Sequence, residues 1–476
     1  MNETTAPVHE EPMYVSRVKI HPRRVSGVFR TLKWAALILL LGLYYGLPWL
    51  RWDRGPDAPG QALLIDMPGR RAYFFMIEIW PQEVYYLTGL LILGAIGLFL
   101  VTALAGRVWC GFLCPQPVWT ALFMWVERLI EGDRPARMKL DAAPLSAAKA
   151  GKRVAKHAAW LLIAVATGGA WIMYFDDAPT LMKEFFVGES SPAVYGFTAL
   201  FTATTYVLAG LMREQLCIYM CPWPRFQGAM FDEHSLIVTY ADWRGEPRGG
   251  ARHGQSFEGR GHCVDCSLCV QVCPTGIDIR QGQQMACIGC ALCVDACNSI
   301  MPRFGLPKNL IAYDSMANQA ARRLGQKPRA RWLRPRVLIY AAILAVVATI
   351  ITVGLATRTR TEVHVLADRA PLFVRLSDGA IRNGYTVKIL NMERVDKTYR
   401  LKIAGIPGAT FTVTGLVSDE TTEAALPVKG DSVGTFRVFV RVRPESLKAR
   451  ATDIVFSATD AADGRGYRRG NVFNGP

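Results

Sequence analysis

The twelve cysteines of this chain fall into four compact groups, and none lies outside them. Thiolates are ligands for soft metals, namely copper(I), zinc and iron–sulfur clusters. Cysteines scattered along the chain would instead have suggested disulfides. The grouping therefore points to metal chemistry, and the spacing within each group indicates which metal.

Two of the groups lie in the stretch CVDCSLCVQVCPTGIDI…CIGCALCVDACNSIM. Each has the spacing C-x-x-C-x-x-C-x-x-x-C, which is the pattern of bacterial ferredoxins that carry two [4Fe–4S] clusters. In that pattern three close thiolates hold one cluster and the fourth reaches the other. The first cluster is therefore predicted to bind Cys263, Cys266, Cys269 and Cys297, and the second Cys273, Cys287, Cys290 and Cys293.

Zinc is the alternative for these eight cysteines, because paired C-x-x-C motifs also bind zinc. Two complete, adjacent repeats make zinc the weaker interpretation. Pro274 follows Cys273, where the chain must change direction, whereas Asn298 stands at the corresponding position of the second repeat. The 13 residues from Pro274 to Ala286 are long enough for the crossover. Such clusters carry single electrons, and retained thiols agree with a reducing cytoplasm.

The other two groups, the membrane-edge pairs, are Cys110 and Cys114 in VWCGFLCPQPVW, and Cys217 and Cys221 in LCIYMCPWPR. If each pair is helical, its two sulfurs share one face, one turn apart. Cysteine also packs as a small residue between spans, and a disulfide is a further alternative that a reducing compartment disfavours. Because the motif occurs twice with its proline, a soft-metal or redox site built from all four cysteines is the preferred interpretation.

The prolines leave an electrostatic question open. Pro115 and Pro222 push the preceding residue toward an extended backbone, so a helix is expected to end at or before Cys114 and Cys221. At a helix C-terminus the dipole favours a bound cation over a free thiolate. If the prolines instead begin a following helix, that argument does not hold, and the sequence allows both arrangements.

Apolar stretches are predicted to position these cysteines as five membrane spans, at 34–50, 84–108, 158–175, 193–212 and 337–356. Each is close to the roughly 20 residues that cross a bilayer. Lys and Arg are concentrated before the first span, between the second and third, and between the fourth and fifth, whereas the loop after the third contains only Lys183. The positive-inside rule therefore predicts a cytoplasmic N-terminus and a C-terminal tail outside. Topology also explains the net charge of +16 without nucleic acid.

The C-terminal tail changes character. Segments such as EVHVLAD, YTVKILNM and TFRVFVRVR alternate apolar and polar residues, with turn signals such as RNG and GIPG between them. This pattern predicts a β-sandwich of about 110 residues. The tail contains no cysteine and one histidine, His364, so no catalytic constellation is expected there. A docking or stabilising role is predicted, and a strand edge could receive a partner.

Together, these residues resemble the cytochrome c oxidase accessory proteins of the CcoG/FixG (RdxA) group. The matching segments are WCGFLCPQPVWT, EQLCIYMCPWPRFQGAMFD, SLIVTYADWRGEPRG, GLPKNLIAYDS, IEIWPQE and the double ferredoxin motif. The ferredoxin spacing alone is generic, whereas its combination with both C-x-x-x-C-P pairs and RGEPRG is specific. The key cysteines show no departure from the family pattern.

The resemblance implies a bacterial inner-membrane iron–sulfur protein that reduces copper(II) to copper(I) for the copper site of cbb3-type cytochrome c oxidase. Two [4Fe–4S] clusters would relay single electrons. Cys110, Cys114, Cys217 and Cys221 would bind copper or another redox centre, and their thiolates would stabilise the softer copper(I). The segment from Arg244 to Gly249 would contact a partner, position a cluster or form a solvated loop.

The resemblance also implies partners and an architecture. The expected partners are the lipid bilayer, copper ions, and oxidase assembly factors or a copper transporter, while the electron donor and a homodimer stay open. The predicted fold class is a multi-domain membrane protein with an α-helical transmembrane bundle of about five spans, a bacterial 2[4Fe–4S] ferredoxin-like domain and an all-β immunoglobulin-like sandwich. The predicted boundaries are a cytoplasmic segment at 1–33, four spans within 34–212, a cytoplasmic segment at 213–335 with the ferredoxin domain near 258–303, a fifth span at 336–356 and a periplasmic sandwich at 357–476.

Two other functions fit the same residues. One is an electron-transfer subunit of a respiratory reductase linked to quinol or ferredoxin. The other is a non-redox assembly chaperone whose clusters are structural. The sequence contains no flavin-binding segment and no C-x-x-C-H haem motif, which argues against the larger reductases of the first kind.

Overall fold

In the computed structural model, the described residues are 19–55, 58–252, 254–329, 331–447 and 449–476. The chain divides into two compact units, Met1–Ile351 and Thr352–Pro476. Most of the predicted cytoplasmic segment 1–33 lies outside the described residues, since the structure describes it only from residue 19 onward.

The first unit is mainly helical. Its helices are α1 Val28–Gly46, α2 Tyr85–Ala105, α3 Pro115–Glu131, α4 Arg134–Ala142, α5 Ala147–Ile172, α6 Ala178–Val187, α7 Pro192–Thr205, α8 Trp223–Met230, α9 Asp242–Gly245, α10 Leu268–Gln271, α11 Leu292–Ile300, α12 Met316–Arg323 and α13 Pro335–Thr357, the last of which continues into the second unit. Its strands are β1 Leu63–Asp66, β2 Arg71–Phe74, β3 Ile77–Ile79, β4 Ile237–Tyr240 and β5 Ile311–Asp314. The first three strands form one antiparallel sheet, and β4 pairs with β5.

Four helical segments among the described residues are long and apolar enough to cross a membrane: Val28–Trp49, Pro81–Ala105, Pro192–Met212 and Pro335–Thr357. They overlap four of the five predicted spans, and helices satisfy their own backbone hydrogen bonds in lipid. The remaining stretch, 158–175, lies largely in the second half of α5. The first half of α5 carries four basic residues, Lys149, Lys152, Arg153 and Lys156. A span at this position stays a prediction.

The β4–β5 pair closes the cysteine-rich segment. Its register joins Ile237 to Asp314 and Tyr240 to Ile311, so the chain leaves and returns at the same place. Apolar residues from both strands pack with Cys263, Cys269 and Cys297 in one buried core. The strand pair therefore holds both ends of the segment that carries eight of the cysteines.

The second unit is a two-sheet sandwich, as predicted. Its strands are β6 Thr361–Ala367, β7 Val374–Arg375, β8 Ile381–Asn391, β9 Lys397–Ala404, β10 Thr410–Val413, β11 Val417–Thr421, β12 Glu423–Val428, β13 Ser432–Val442, β14 Ala451–Asp460 and β15 Gly466–Asn474. One sheet has the order β11-β10-β13-β8-β6, with β7 beside β8, and the other has the order β12-β9-β14-β15. Burial alternates along β8, so every second side chain faces the other sheet. The side chain of Tyr385 extends across the core, and its hydroxyl donates to the carbonyl oxygen of Val472 at 2.8 Å.

Candidate functional site

The two cysteine triplets share one backbone conformation. Asp265 and Ser267 have φ of 49° and 53° in the first triplet, and Gly289 and Ala291 have φ of 67° and 54° at the equivalent positions of the second. Positive φ at a residue other than glycine costs about 1–3 kcal/mol and is concentrated at functional sites. Turns of this kind aim successive backbone N–H groups at one concave site, which suits an anionic ligand such as a thiolate-bound cluster.

The fourth cysteine of the second group lies beside the first triplet. The thiol of Cys297, in α11, is in electrostatic contact with the thiols of Cys263, Cys266 and Cys269. Burial, followed by these three neighbours, raises the pKa of Cys297 to about 12. Thiols that hold their protons so tightly become thiolates only when a strongly bound metal replaces the proton. We call these four cysteines the first donor set.

The fourth cysteine of the first group lies beside the second triplet. Cys273 is in electrostatic contact with Cys287, Cys290 and Cys293, and the four line one largely apolar cavity. Burial raises the pKa of Cys287 to about 12. Cys269 also borders this cavity, so the two groups are neighbours. We call these four cysteines the second donor set, and the chemistry of both sets fits [4Fe–4S] clusters.

The membrane-edge pairs also share a local structure. A residue with positive φ precedes the first cysteine of each pair by four positions, namely Gly106 at 60° and Arg213 at 44°. A single π-helical turn then follows in each, at Trp109–Leu113 and Leu216–Met220. Turns of this type are rare and occur frequently at functional sites. Their repetition around equivalent cysteines favours a built site over simple packing.

Both prolines lead into helices. Cys114 is extended and α3 begins at Pro115, while Cys221 is extended and α8 begins at Trp223. The π-helical turns end at Leu113 and Met220, as the prolines predicted, but a following helix is present as well, so the dipole argument for a bound cation does not hold. Cys114 precedes the positive N-terminal end of α3, which favours a thiolate, but burial outweighs this effect and raises the pKa of the Cys114 thiol.

The four cysteines of the membrane-edge pairs converge. Burial is the main cause that raises the pKa of Cys110 to about 11 and of Cys217 to about 12, and thiols of both pairs contribute. The Cys110 thiol donates a hydrogen bond to the amide oxygen of Gln227 at 3.3 Å, and all four cysteines are free thiols. Within the described part of the chain, no group of three or more His, Cys, Asp or Glu side chains is arranged as a single-ion site.

The membrane-edge pairs touch the second donor set. Cys110 and Cys217 pack in one apolar cluster with Cys290 and Cys293. The guanidinium of Arg107, just before the first pair, donates to the carbonyl oxygen of Cys287 at 2.8 Å. Among the described residues, no cysteine of the first donor set belongs to this apolar cluster. The second donor set is thus the one that lies next to the membrane-edge pairs.

Two charged residues at this junction have no motif in the sequence. Lys33, in α1, is only 5% exposed, and its ammonium group is in electrostatic contact with Cys290 and Cys217. Asp295, in α11, accepts hydrogen bonds from the backbone N–H groups of Phe29 at 3.2 Å and Arg30 at 2.7 Å. Neither has a distinctive sequence signal, because α1 also carries Arg30, and Asp295 is one of several polar residues in α11.

The RGEPRG segment lies beside the first donor set. The guanidinium of Arg244 donates to the carbonyl oxygens of Pro307 and Lys308 at 3.2 and 3.1 Å and is in electrostatic contact with Cys297. Glu246 accepts a hydrogen bond from the hydroxyl of Tyr240 at 3.0 Å. These contacts tie the segment to the cluster region.

Three family models match the chain. Residues 212–316 match a model described as a 4Fe-4S dicluster domain, and residues 87–133 match a 4Fe-4S binding domain. Residues 351–476 match an IG-like fold at the C-terminal of FixG. The chain is 50% identical over 472 residues to the nitrogen fixation protein FixG of Rhizobium meliloti (strain 1021), across 93% of this chain and 90% of that protein. It belongs to the FixG/RdxA family.

Further FixG/RdxA relatives cover nearly the whole chain. Protein RdxA of Cereibacter sphaeroides is 46% identical over 461 residues, covering 96% of each chain. Protein RdxB of the same organism is 45% identical over 478 residues, covering 99% of each. The predicted family membership is confirmed, as is the combination of a membrane region, a 4Fe–4S dicluster region and an immunoglobulin-like domain. The protein is a membrane-bound iron–sulfur electron-transfer protein.

Proposed function

We propose that this protein is a cupric reductase, which passes single electrons through two [4Fe–4S] clusters to copper(II) and delivers copper(I) for the copper site of cbb3-type cytochrome c oxidase. The observation that carries the proposal is that Cys110 and Cys217 pack against the apolar cluster that contains Cys290, and that Gly111, between Cys110 and Cys114, meets the backbone of Cys290. Electron transfer requires short distances between centres, and these contacts support a short path from the second donor set to the membrane-edge pairs.

The donor sets have defined roles in this proposal. Cys263, Cys266, Cys269 and Cys297 would hold the first cluster, and Cys273, Cys287, Cys290 and Cys293 would hold the second. When bound, the clusters supply transfer of one electron at a time. The apolar side chains that line the cavity of the second donor set exclude water from its thiolates. This protects the thiolates from ligand exchange.

The membrane-edge pairs receive the substrate in this proposal. Copper(II) binds to thiolates of Cys110, Cys114, Cys217 and Cys221, and the displaced thiol protons leave to solvent. Each copper ion then accepts one electron and becomes copper(I), and a low-potential one-electron carrier in the cytoplasm replaces that electron by way of the clusters. The soft thiolate set favours the reduced product. The N-terminal end of α3 stabilises the Cys114 thiolate once copper has displaced its proton.

A location in the inner membrane completes the proposal. The N-terminus and both donor sets would face the cytoplasm, and the immunoglobulin-like domain would lie in the periplasm. The distribution of Lys and Arg supports this orientation. Oxidase assembly factors or a copper transporter would exchange copper with the protein.

One observation favours a second occupant for the membrane-edge pairs. The model that matches residues 87–133 is described as a 4Fe-4S binding domain, and this range contains Cys110 and Cys114. Four thiolates from the two pairs would suffice for a third cluster. The pairs would then be an additional electron carrier, and copper would be reduced elsewhere. Iron analysis separates the two cases, since a third cluster raises iron from about eight to about twelve atoms per chain.

The proposed function is tested with the purified full-length protein, its clusters reduced anaerobically and the reductant then removed. Copper(II) is added, and copper(I) is measured with a chromogenic chelator. We expect about two copper ions to be reduced per chain, one for each cluster. Replacement of all four membrane-edge cysteines by serine should abolish this reduction. Met220→Leu is the matched control, because Met220 lies in the same π-helical turn as Cys217 but is 55% exposed.

A further inference from the structure

A cavity of about 370 Å³ lies between the N-terminal end of α1 and the C-terminal end of α3. No cysteine lines it, and the Arg30 guanidinium in its wall is in electrostatic contact with Cys290 of the second donor set. Three arginines and three large apolar side chains are prominent in its lining: Arg24, Arg30, Arg128, Trp34, Trp125 and Leu129. The cavity therefore combines a basic part with an apolar part at one end of a helix that is long and apolar enough to span the membrane.

The carboxylates near the basic part stand outside its lining: Asp133 and Glu127 are in electrostatic contact with Arg128, and Asp133 accepts the backbone N–H of Arg24 at 2.9 Å. Among the residues that line the cavity there is no Asp or Glu, and no described ion pair involves the side chain of Arg24, Arg30 or Arg128. The Nε atom of Arg128 is buried and has no hydrogen-bond partner among the described residues. Burial, followed by the neighbouring charge of Arg30, lowers the pKa of Arg128 to about 10. Guanidinium groups that line one cavity and form no described ion pair fit a phosphate, which they bind through paired hydrogen bonds.

The apolar part is formed by side chains of α1, which is long and apolar enough to span the membrane, and of α3. Trp34 and Trp125 pack edge to face with ring centroids 6.1 Å apart, and the Arg30 guanidinium lies 4.9 Å from the centroid of Trp34. Trp125 and Leu129 are 42% and 64% exposed. Tryptophans prefer the level of the lipid headgroups. The ligand that this arrangement fits is thus an anion that carries an apolar tail.

We propose that the cavity binds the phosphate of an anionic phospholipid, with Arg24, Arg30 and Arg128 around the headgroup and the tryptophans beside the start of the acyl chains. Basic pockets between membrane helices are known to bind such headgroups. The site also adjoins the cluster region, because the backbone N–H of Arg30 donates to Asp295 of α11. A bound lipid would therefore brace α1 against a helix that carries cluster ligands. The proposal stands independently of copper reduction.

The test uses delipidated full-length protein in detergent and native mass spectrometry. Phosphatidylglycerol and phosphatidylcholine are added separately at equal concentration, and inorganic phosphate is added as a competitor. We expect retention of phosphatidylglycerol, little retention of phosphatidylcholine, and a loss of retention of about tenfold in the double variant Arg30→Gln with Arg128→Gln. The iron–sulfur absorbance of each variant verifies folding, and Arg128→Lys should restore part of the binding.

Arg331→Gln is the matched control, because this exposed arginine stands just before α13, another helix long and apolar enough to span the membrane. It removes one positive charge at an equivalent place without touching the cavity. Equal loss of lipid in Arg331→Gln and in the double variant would overturn the proposal in favour of general surface attraction. Displacement of the lipid by millimolar inorganic phosphate would also overturn it, because the site would then select a free anion.

Discussion

The main chains of Gly111 and Cys290 are in direct contact. A β-carbon on Gly111 would lie 3.0 Å from the Cα of Cys290 and 2.8 Å from the carbonyl oxygen of Gly289. Both neighbours are backbone atoms, which cannot rotate away, so only glycine fits at this position. The contact fixes the distance between the membrane-edge pairs and the second donor set, and with it the path that an electron would take.

Gly111→Ala tests this contact. The added methyl group must push the two backbones apart by several tenths of an ångström, which we expect to cost about 1–3 kcal/mol of stability. The rate of copper(II) reduction by prereduced protein should fall severalfold, while the iron content stays normal. Gly94→Ala is the control, because nothing lies within 4 Å of its β-carbon position. Identical rates and stabilities in the two variants would show that the contact between Gly111 and Cys290 does not control electron transfer.

Lys33 is expected to raise the reduction potential of the second cluster. Its buried positive charge lies in electrostatic contact with Cys290 and stabilises the more negative, reduced state. Lys33→Met should therefore lower that potential by tens of millivolts and change the potential of the first cluster less. Redox titration followed by EPR measures both values. Lys183→Met, at an exposed position of α6, serves as control, and equal shifts of the two clusters would contradict the prediction.

Asp295 is expected to hold α1 against α11. Its carboxylate accepts the otherwise unpaired N–H groups of Phe29 and Arg30 and is 6% exposed. Asp295→Asn removes the charge that strengthens these bonds, and we expect a loss of about 1–3 kcal/mol. Hydrogen exchange should accelerate at the start of α1. Glu258→Gln removes an exposed carboxylate from the cysteine-rich segment as control, and the same exchange rates in both would exclude this role.

The immunoglobulin-like domain contains a buried ion pair that makes its stability depend on pH. The ammonium of Lys397 lies 2.8 Å from Asp460, whose side chain is 1% exposed. Burial is the largest single influence and opposes the charge of Asp460, but the hydrogen bond and charge of Lys397, together with the backbone N–H groups of Ala462 and Asp463, outweigh burial and lower the pKa of the carboxyl. Because this pKa is lower in the folded state, the Asp460 carboxylate stabilises the folded domain at pH values above its ordinary pKa of 3.8. This stabilisation is lost as the pH falls below that value.

Lys397→Met should therefore destabilise this domain by about 3–5 kcal/mol at neutral pH, because it leaves a buried carboxylate unpaired. The difference from the unaltered protein should shrink at pH 4, where Asp460 of the variant becomes protonated. Thermal unfolding of the full chain at both pH values gives the comparison. Lys402→Met is the control, since its pair with Glu423 is largely exposed and is worth less than about 1 kcal/mol. If the stability difference between Lys397→Met and the unaltered protein is the same at both pH values, the Lys397–Asp460 pair is not the source of the pH dependence.

The sequence predicted those features whose cause is local. The spacing of the eight cysteines at 263–297 predicts the two donor sets. Composition predicts the spans, because a bilayer imposes a length of roughly 20 apolar residues. The sandwich followed from alternation, since each strand places every second residue in the core. The sheet β1–β3 was not anticipated. It lies in a segment of mixed charge between two spans, where no strong periodicity is present.

Contacts between distant segments could not be read from the sequence. The π-helical turns depend on Gly106 and Arg213, whose positive φ has no residue pattern in common. Asp295 meets α1 across more than 260 residues of chain, and Lys33 faces thiols that belong to two other segments. Such relationships are set by how helices pack, which side-chain periodicity alone does not specify.

The central claim is that electrons leave the second cluster for copper at the membrane-edge pairs. Freeze-quench EPR of prereduced full-length protein mixed with copper(II) tests it most directly. We predict that the signal of the reduced second cluster disappears together with the copper(II) signal, one electron for each copper ion, and that both signals persist when Cys110, Cys114, Cys217 and Cys221 are replaced by serine. Equally fast loss of both signals in the serine variant would contradict the account.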